Sequence, residues 1–252
     1  MSLYLSRLLL NPRSRQVMME MVHPYEMHRT LMRAFPNSID DIESKARGEF
    51  GVLFRADVDD LTGVVMVYVQ SRIEPNWSFL DGRYDYLCRD TGKLAYACKD
   101  IMPACAKIQD GQVFSFRLRA NPTKRVGKVT RGDSDLKGKR VGLLREDEQI
   151  AWLIRKGRER EKGRPGGFEI LMAEVVDRYG QIREVPRVEI RREEKQRGRK
   201  KGPRTFDEMT HLAVRFDGLL RITDANAFRE TLARGIGSAK AFGFGLLSVA
   251  PG

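Results

Sequence analysis

Two of the chain's three histidines lie five residues apart in one segment, His23-Pro24-Tyr25-Glu26-Met27-His28-Arg29-Thr30. An imidazole, with its ordinary pKa of ~6.5, can give or take a proton near neutral pH. Beside a tyrosine and arginines, that capacity points to acid–base chemistry on a phosphate. Pro24 suits the first turn of a helix, where its missing N–H would have no partner anyway. Met27, Leu31, Ala34 and Phe35 then recur at helical spacing and form the predicted core face, before Pro36 stops the pattern. His28 falls at the edge of that apolar stripe, where packing can fix its ring, and is the candidate general acid or base. Tyr25 lies one turn back on a neighbouring face. A phenol, with a pKa of ~10, is a poor base at neutral pH, so Tyr25 is read as an orienting group. Arg29 points the same way and can neutralise phosphate oxygens, and Arg33 continues its row. His23 flanks the helix, and His211 opens a predicted strand; both have packing or solvent-facing readings.

The charge balance supplies the substrate class. Forty-six Lys and Arg against 34 Asp and Glu leave a formal charge of +12 in 252 residues. Such a chain gathers polyanions by its field and by counterion release, and nucleic acid is the leading partner. Arg117, Arg119, Lys124, Arg125, Lys128 and Arg131 make a basic strand and loop, and Arg155, Lys156, Arg158 and Arg160 a basic helix end. Both suit a phosphate backbone as well as a solvated face. The run Arg191 to Arg204 has no apolar anchor and reads as a solvated hairpin tip, a disordered loop or a backbone-contacting loop. Between Gly235 and Gly245 the segment GIGSAKAFGFG follows a helix and precedes the last strand. Its Gly237 and Gly243 backbones with Lys240 could clamp phosphates, or the glycines could serve a tight connection needing positive φ. It fails the dinucleotide pattern GxGxxG at Lys240, so no nucleotide cofactor is expected.

Cys88, Cys98 and Cys105 are odd in number and lack CxxC spacing, which favours reduced thiols. Asp57, Asp59 and Asp60 read as a polar hairpin tip, and no metal site is expected. The opening MSLYLSRLLLNPRSR is too short and too interrupted by Ser6 and Arg7 for a membrane span. A soluble, cytoplasmic protein without membrane association follows.

The elements that must position these groups repeat. Leu3 to Leu10 reads as a strand, the Pro24 segment as a helix, and Glu49 to Val58 with Val64 to Ser71 as a hairpin. A short helix and strand are expected between Glu74 and Asp110. After a turn at Gln109-Asp110-Gly111 come a strand at Val113 to Ala120, a charged helix at Arg145 to Lys162, and paired strands at Phe168 to Val176 and Val185 to Ile190. A strand at Leu212 to Ile222, a helix at Asp224 to Ala233 capped by Thr223 or Asp224, and a strand at Leu246 to Val249 close the chain. The reading is an α+β protein of two ferredoxin-like (RRM-like, βαββαβ) domains, residues 1–110 with the catalytic helix and 111–252 with the basic strand and glycine segment. A four-stranded open face is a common RNA platform.

The N-terminal strand with its LNPRSR turn, PYEMHRTL, FRLRANPTKR, EQIAWL and the closing GIGSAKAFGFGLLSVAP resemble the CRISPR-associated repeat RNA endoribonucleases of the CasE (Cse3) branch, subtype I-E, in the repeat-associated mysterious protein superfamily. The resemblance runs from end to end. It implies a tandem ferredoxin-like fold that cuts precursor CRISPR RNA at the base of each repeat hairpin, without metal or cofactor. Family members hold their product and join other subunits of the surveillance complex Cascade. The family's principal catalytic histidine maps onto His28 and the tyrosine before it onto Tyr25, with Arg29 in the same motif. Metal-free cleavage uses the 2′-OH beside the scissile phosphate as nucleophile, so the protein must help move a proton off it, stabilise the phosphorane and protonate the departing 5′-oxygen. The rival readings are a non-catalytic RNA-binding subunit of a CRISPR ribonucleoprotein and a general basic DNA- or ribosome-binding protein.

Overall fold

The computed structural model describes residues 2–36, 50–83, 85–89, 92–127, 138–158, 165–201 and 206–252, without the side chains of 197–201 and 206–209. Glu49, Tyr84, Lys128, Arg131, the expected helix end at 159–162 and residues 202–204 of the basic run lie outside the described residues.

The first half runs β1 (Tyr4–Leu10), α1 (Arg15–Val22), α2 (Pro24–Met32), β2 (Leu53–Val58), β3 (Val65–Ser71) and β4 (Tyr96–Asp100), then a short α3 (Met102–Ala106). Its strands form an antiparallel sheet in the order β2-β3-β1-β4. Leu8 stands opposite Val67 and Leu10 opposite Val65, so alternation puts these side chains on one face. α2 covers that face with Met27 and Leu31, and Ala34 and Phe35 just beyond it complete the expected core stripe. Residues 15–32 form two helices and not one because Pro24 cannot sit inside a helix: it has no N–H, and its ring would clash with the preceding turn. His23 serves as the joint, donating its N–H to the Met19 carbonyl and accepting from Glu26 N–H at 2.8 Å.

The second crossover departs from the βαββαβ expectation. Among the described residues it holds only a 3-10 turn at Ser78–Leu80. The segment buries Trp77, Leu80, Tyr86 and Leu87, and Trp77 donates its indole N–H to Ser6 Oγ at 3.0 Å.

The second half contains β5 (Val113–Ala120), β6 (Thr123–Arg125), β7 (Arg140–Gly142), α4 (Glu146–Arg158), β8 (Phe168–Ile170), β9 (Met172–Val176), β10 (Ile182–Pro186), β11 (Val188–Arg192), β12 (Gln196–Lys201), β13 (Phe206–His211), β14 (Val214–Ile222), α5 (Ala225–Arg234) and β15 (Leu247–Pro251). Its main sheet has the order β11-β14-β5-β15, again antiparallel. The two halves therefore share one strand order.

Three expectations change here. Only β9 and β10 of the predicted strand pair bond to each other. β8 and β11 both pair with β14, Phe168 opposite Ile222 and Val188 opposite Gly218, so they are two pieces of one strand position from which β9 and β10 loop out. Burial separates them: Phe168 and Ile170 are in the core, whereas Val175, Val176 and Ile182 are exposed. The basic run, read as a hairpin tip or a loop, contributes a strand, β12, paired antiparallel with β13 from Gln196 opposite His211 onward. His211 accordingly ends β13 instead of opening β14. The cap of α5 is Asp224, whose Oδ1 accepts Ala227 N–H at 3.0 Å.

The halves are joined by buried groups. Leu3, Cys105 and Ile108 pack into the core of the second half. Gln70 Nε2 donates to the Leu232 carbonyl at 2.8 Å. Arg55 on β2 donates to both Asp57 oxygens at 3.0 Å and to Ser248 Oγ at 2.8 Å. Among the described residues no helix is long and apolar enough to cross a membrane.

Candidate active site

The joined halves bring α2 of the first against the end of the second. α2 packs on the 3-10 turn Lys240–Phe242 in the middle of the glycine segment, and β2 packs on the same turn. His28 is 4% exposed. Its ring lies nearly parallel to that of Phe54 on β2, centroids 6.2 Å apart, and 6.2 Å from the tilted ring of Tyr25. Tyr25 in turn lies 5.8 Å from Phe242. The imidazole is thus fixed by rings from two elements, and the tyrosine is half-buried at the junction of α2 and the glycine segment.

Gly243 makes that junction possible. It is buried at φ +76°, and a Cβ there would stand 3.2 Å from Phe54 and 3.3 Å from Arg119. The glycine is needed so that the backbone can lie on the ring that orients His28. This is the tight, positive-φ connection, one of the two roles the sequence offers for these glycines. Gly237, at φ +88°, would place a Cβ 3.3 Å from Trp152. It lines a separate cavity with Lys124, Arg125 and Arg155. Ala239 adopts the left-handed conformation at φ 60° without being glycine, and so starts the 3-10 turn. Such a residue costs of order 1–2 kcal/mol.

Lys240 donates its ammonium to the Arg234 carbonyl. Burial, and then the neighbouring charges of Arg72 and Arg234, push its pKa below the usual lysine range. Three cations thus converge beside the turn that touches Tyr25. Arg29 is 66% exposed in its side chain and pairs with Glu26 at 3.0 Å. Arg33 ends α2 with its guanidinium 5.0 Å from the Phe79 ring centre. Arg158 is exposed at the end of α4.

Arg117 and Arg119 have other partners. Arg117 binds Asp217 and lies 3.9 Å from Asp57, and Arg215 reaches Asp217 at 2.9 Å, which links β2 to β5 and β14. Arg119 binds Glu193 and lies 4.9 Å over the Phe244 ring. The acidic turn is similarly engaged: Asp57 holds Arg55, and Asp59 accepts from Leu61 N–H, Thr62 N–H and the Thr62 hydroxyl. Among the described residues no group of three or more His, Cys, Asp or Glu side chains is placed to hold a metal ion.

The sequence reading gave His211 a packed or solvent-facing role and did not single out Glu20; the structure places both in the neighbourhood. His211, rather than His23, is the second histidine near the junction: its ring is 4.4 Å from Phe242, and Nδ1 lies 3.1 Å from Asn121 Nδ2. Burial lowers its pKa. Glu20 on α1 is 3% exposed and accepts from Thr30 Oγ1 at 2.7 Å, Tyr86 OH at 2.5 Å and Gln16 Nε2 at 2.8 Å. A glutamate at helical spacing from buried Val17 is the one sequence signal that could have marked it. His23 is exposed.

A family model described as "CRISPR associated protein" matches residues 3–251. The CRISPR-associated endoribonuclease Cse3 of Thermus thermophilus is 35% identical over 249 residues, 99% of this chain and 100% of the relative. The Cascade subunit CasE of Escherichia coli is 34% identical over 148 residues, 58% of this chain and 61% of the relative. The structure of the Thermus thermophilus Cse3 bound to an RNA representing a pre-cleavage complex superimposes with a TM-score of 0.71 at 34% identity, covering 100% of both chains.

Proposed function

The chain belongs to the CasE (Cse3) family of CRISPR-associated endoribonucleases, and we propose that His28, Tyr25 and Arg29 are the groups with which it cuts precursor CRISPR RNA at the base of the repeat hairpin. The protein processes this RNA as a partner of other Cascade subunits. The observation that carries the residue assignment is the setting of His28, whose buried ring contacts both Phe54 and Tyr25 where α2 meets the glycine segment. A general acid or base acts well when its ring cannot turn away from the reacting oxygen.

In the proposed reaction O2′ attacks the adjacent phosphorus and the P–O5′ bond breaks. A 2′,3′-cyclic phosphate stays on one fragment and a 5′-hydroxyl on the other. The proton leaving O2′ is balanced by one delivered to O5′, and His28 carries one of these two transfers. Tyr25 orients the 2′-OH or the phosphate. Arg29, exposed on the same helix row, neutralises the charge that grows on the non-bridging oxygens. Lys240 holds a phosphate beside the turn. Exposed Arg33, Lys124, Arg125, Arg155 and Arg158 hold RNA backbone, whereas Arg117 and Arg119 act through the ion pairs that shape the surface. The reaction needs no metal and takes place in the cytoplasm. We place the domain boundary at Asp110 and Gly111, where Gly111 turns at φ +82° and donates to the Ile222 carbonyl.

The test uses labelled repeat RNA in chelator. Cutting is expected to continue, and a 2′-deoxy substitution at the scissile position is expected to stop it; cutting of the deoxy RNA would rule out attack by the 2′-OH. His28→Ala is expected to slow single-turnover cleavage ~10²- to 10⁴-fold while the RNA remains bound. An unchanged rate would return His28 to a packing role and favour the non-catalytic reading.

A further inference from the structure

The glycine segment has two sides. Lys240–Phe242 faces Tyr25, whereas Gly235–Ser238 forms one wall of a cleft of about 670 Å³. The remaining walls come from β6, β7 and α4, which contribute Lys124, Arg125, Arg140, Arg155 and Lys156. Among the described residues that line it, none is acidic. Lys124 is offset from outside by Glu148 at 2.7 Å. Cations from three elements line one concave site, a shape that focuses positive potential and attracts an anion.

We propose that this cleft binds the single-stranded RNA that leaves the base of the hairpin at the cut, through its phosphates. The proposal rests on the endoribonuclease reading above and adds where the flanking strand runs. Three features specify the ligand. The volume lies within the ~300–1,000 Å³ of sites that enclose a small ligand, room for a short stretch of single strand but not for a duplex stem. The floor offers no ring for a base to stack on, since Trp152 is 3% exposed beneath Gly237 and Lys156 Nζ lies 5.8 Å from its ring centre. Recognition is therefore of backbone and independent of sequence, unlike sites that read bases on aromatic platforms. Finally, Phe242 lies only five positions after Gly237, at most ~18 Å of chain even if extended. A strand with its scissile phosphate at His28 reaches the cleft within a few nucleotides. Arg140 and Lys156, which complete the cleft from two elements, are the residues the proposal adds to the RNA contacts.

The experiment measures affinity over a range of salt with repeat RNA blocked by 2′-deoxy at the cut, either with its single-stranded flanks or trimmed to the stem and loop. Arg140→Ala combined with Lys156→Ala is expected to bind the flanked RNA about tenfold more weakly, on the order of two lost phosphate contacts. Its salt slope is expected to fall by about 0.7 for each cation removed, the single-strand value. Its affinity for the trimmed RNA is expected to match that of the unsubstituted protein. Equal weakening on both RNAs would mean that the cleft holds the stem, and no weakening on either that it holds no RNA; both overturn the proposal. Arg140→Gln alone, at an exposed side chain, gives about half the effect if the double variant is poorly folded. Failure of the unsubstituted protein to cut unmodified repeat RNA would sink the endoribonuclease reading while leaving the flank dependence measurable.

Discussion

Lys240, proposed above to hold a phosphate, is a charge that burial and its neighbours disfavour. Burial and two nearby arginines hold its pKa down, so in the free protein its charged form is unfavourable, and the stability this costs is regained as pH rises through the lowered pKa. A bound phosphate supplies the missing anion and favours the protonated lysine. RNA affinity is therefore expected to fall with rising pH earlier than exposed lysines would make it fall, and Lys240→Arg, which keeps its charge, is expected to flatten that dependence. Titrating affinity from neutral to alkaline pH for both proteins checks this; coincident profiles would remove Lys240 from phosphate binding. The sequence marks Lys240 by its place among glycines. It does not mark Arg117 and Arg119 as ion-paired, because Asp217 and Glu193 lie 100 and 74 positions away and meet them only when the sheet forms. From the sequence alone both arginines look as available as Arg125.

Among the elements, α2 depends on a residue outside itself. Glu20 on α1 accepts the hydroxyls of Thr30 on α2 and Tyr86 beyond β3, and burial beside that carboxylate pushes the Tyr86 phenol up. The carboxylate thus fixes the angle at the His23 joint and with it the height of His28 above the sheet. Glu20→Ala leaves two buried hydroxyls without their acceptor, a loss expected to cost about 1–3 kcal/mol per unsatisfied group. A denaturant melt measures it, and a loss well under 1 kcal/mol would mean that water replaces the carboxylate. The helix itself was legible in advance, since Pro24 and the spacing of Met27, Leu31, Ala34 and Phe35 fix its start and its face. The split of the second-half strand into β8 and β11 was not legible. Apolar residues run through β8 and β9 alike, and only pairing with β14 decides which are buried.

At the scale of the whole molecule, the halves share enough core to unfold together. Leu3, Cys105 and Ile108 sit in the second core, and Arg55 and Gln70 hydrogen-bond across to Ser248 and Leu232. Trp77 belongs to the first core and Trp152 to the second, so each can report one half. Trp152→Phe and Trp77→Phe proteins are expected to show coincident denaturant transitions, as a single cooperative unit requires; separated midpoints would mean two independent domains. The succession of β1, α2, β2 and β3, the α2 face, the basic character and the place of Tyr25 and His28 one turn apart on a helix were all determined by the sequence, because periodicity and local spacing act within a few residues of chain. Tertiary structure alone decided which histidine stands beside the site, His211 rather than His23. It also decided which glycine packs on Phe54 and which lines the cleft, and which cations are consumed in ion pairs. Those outcomes depend on contacts between residues far apart in sequence, which form only when the two sheets are joined.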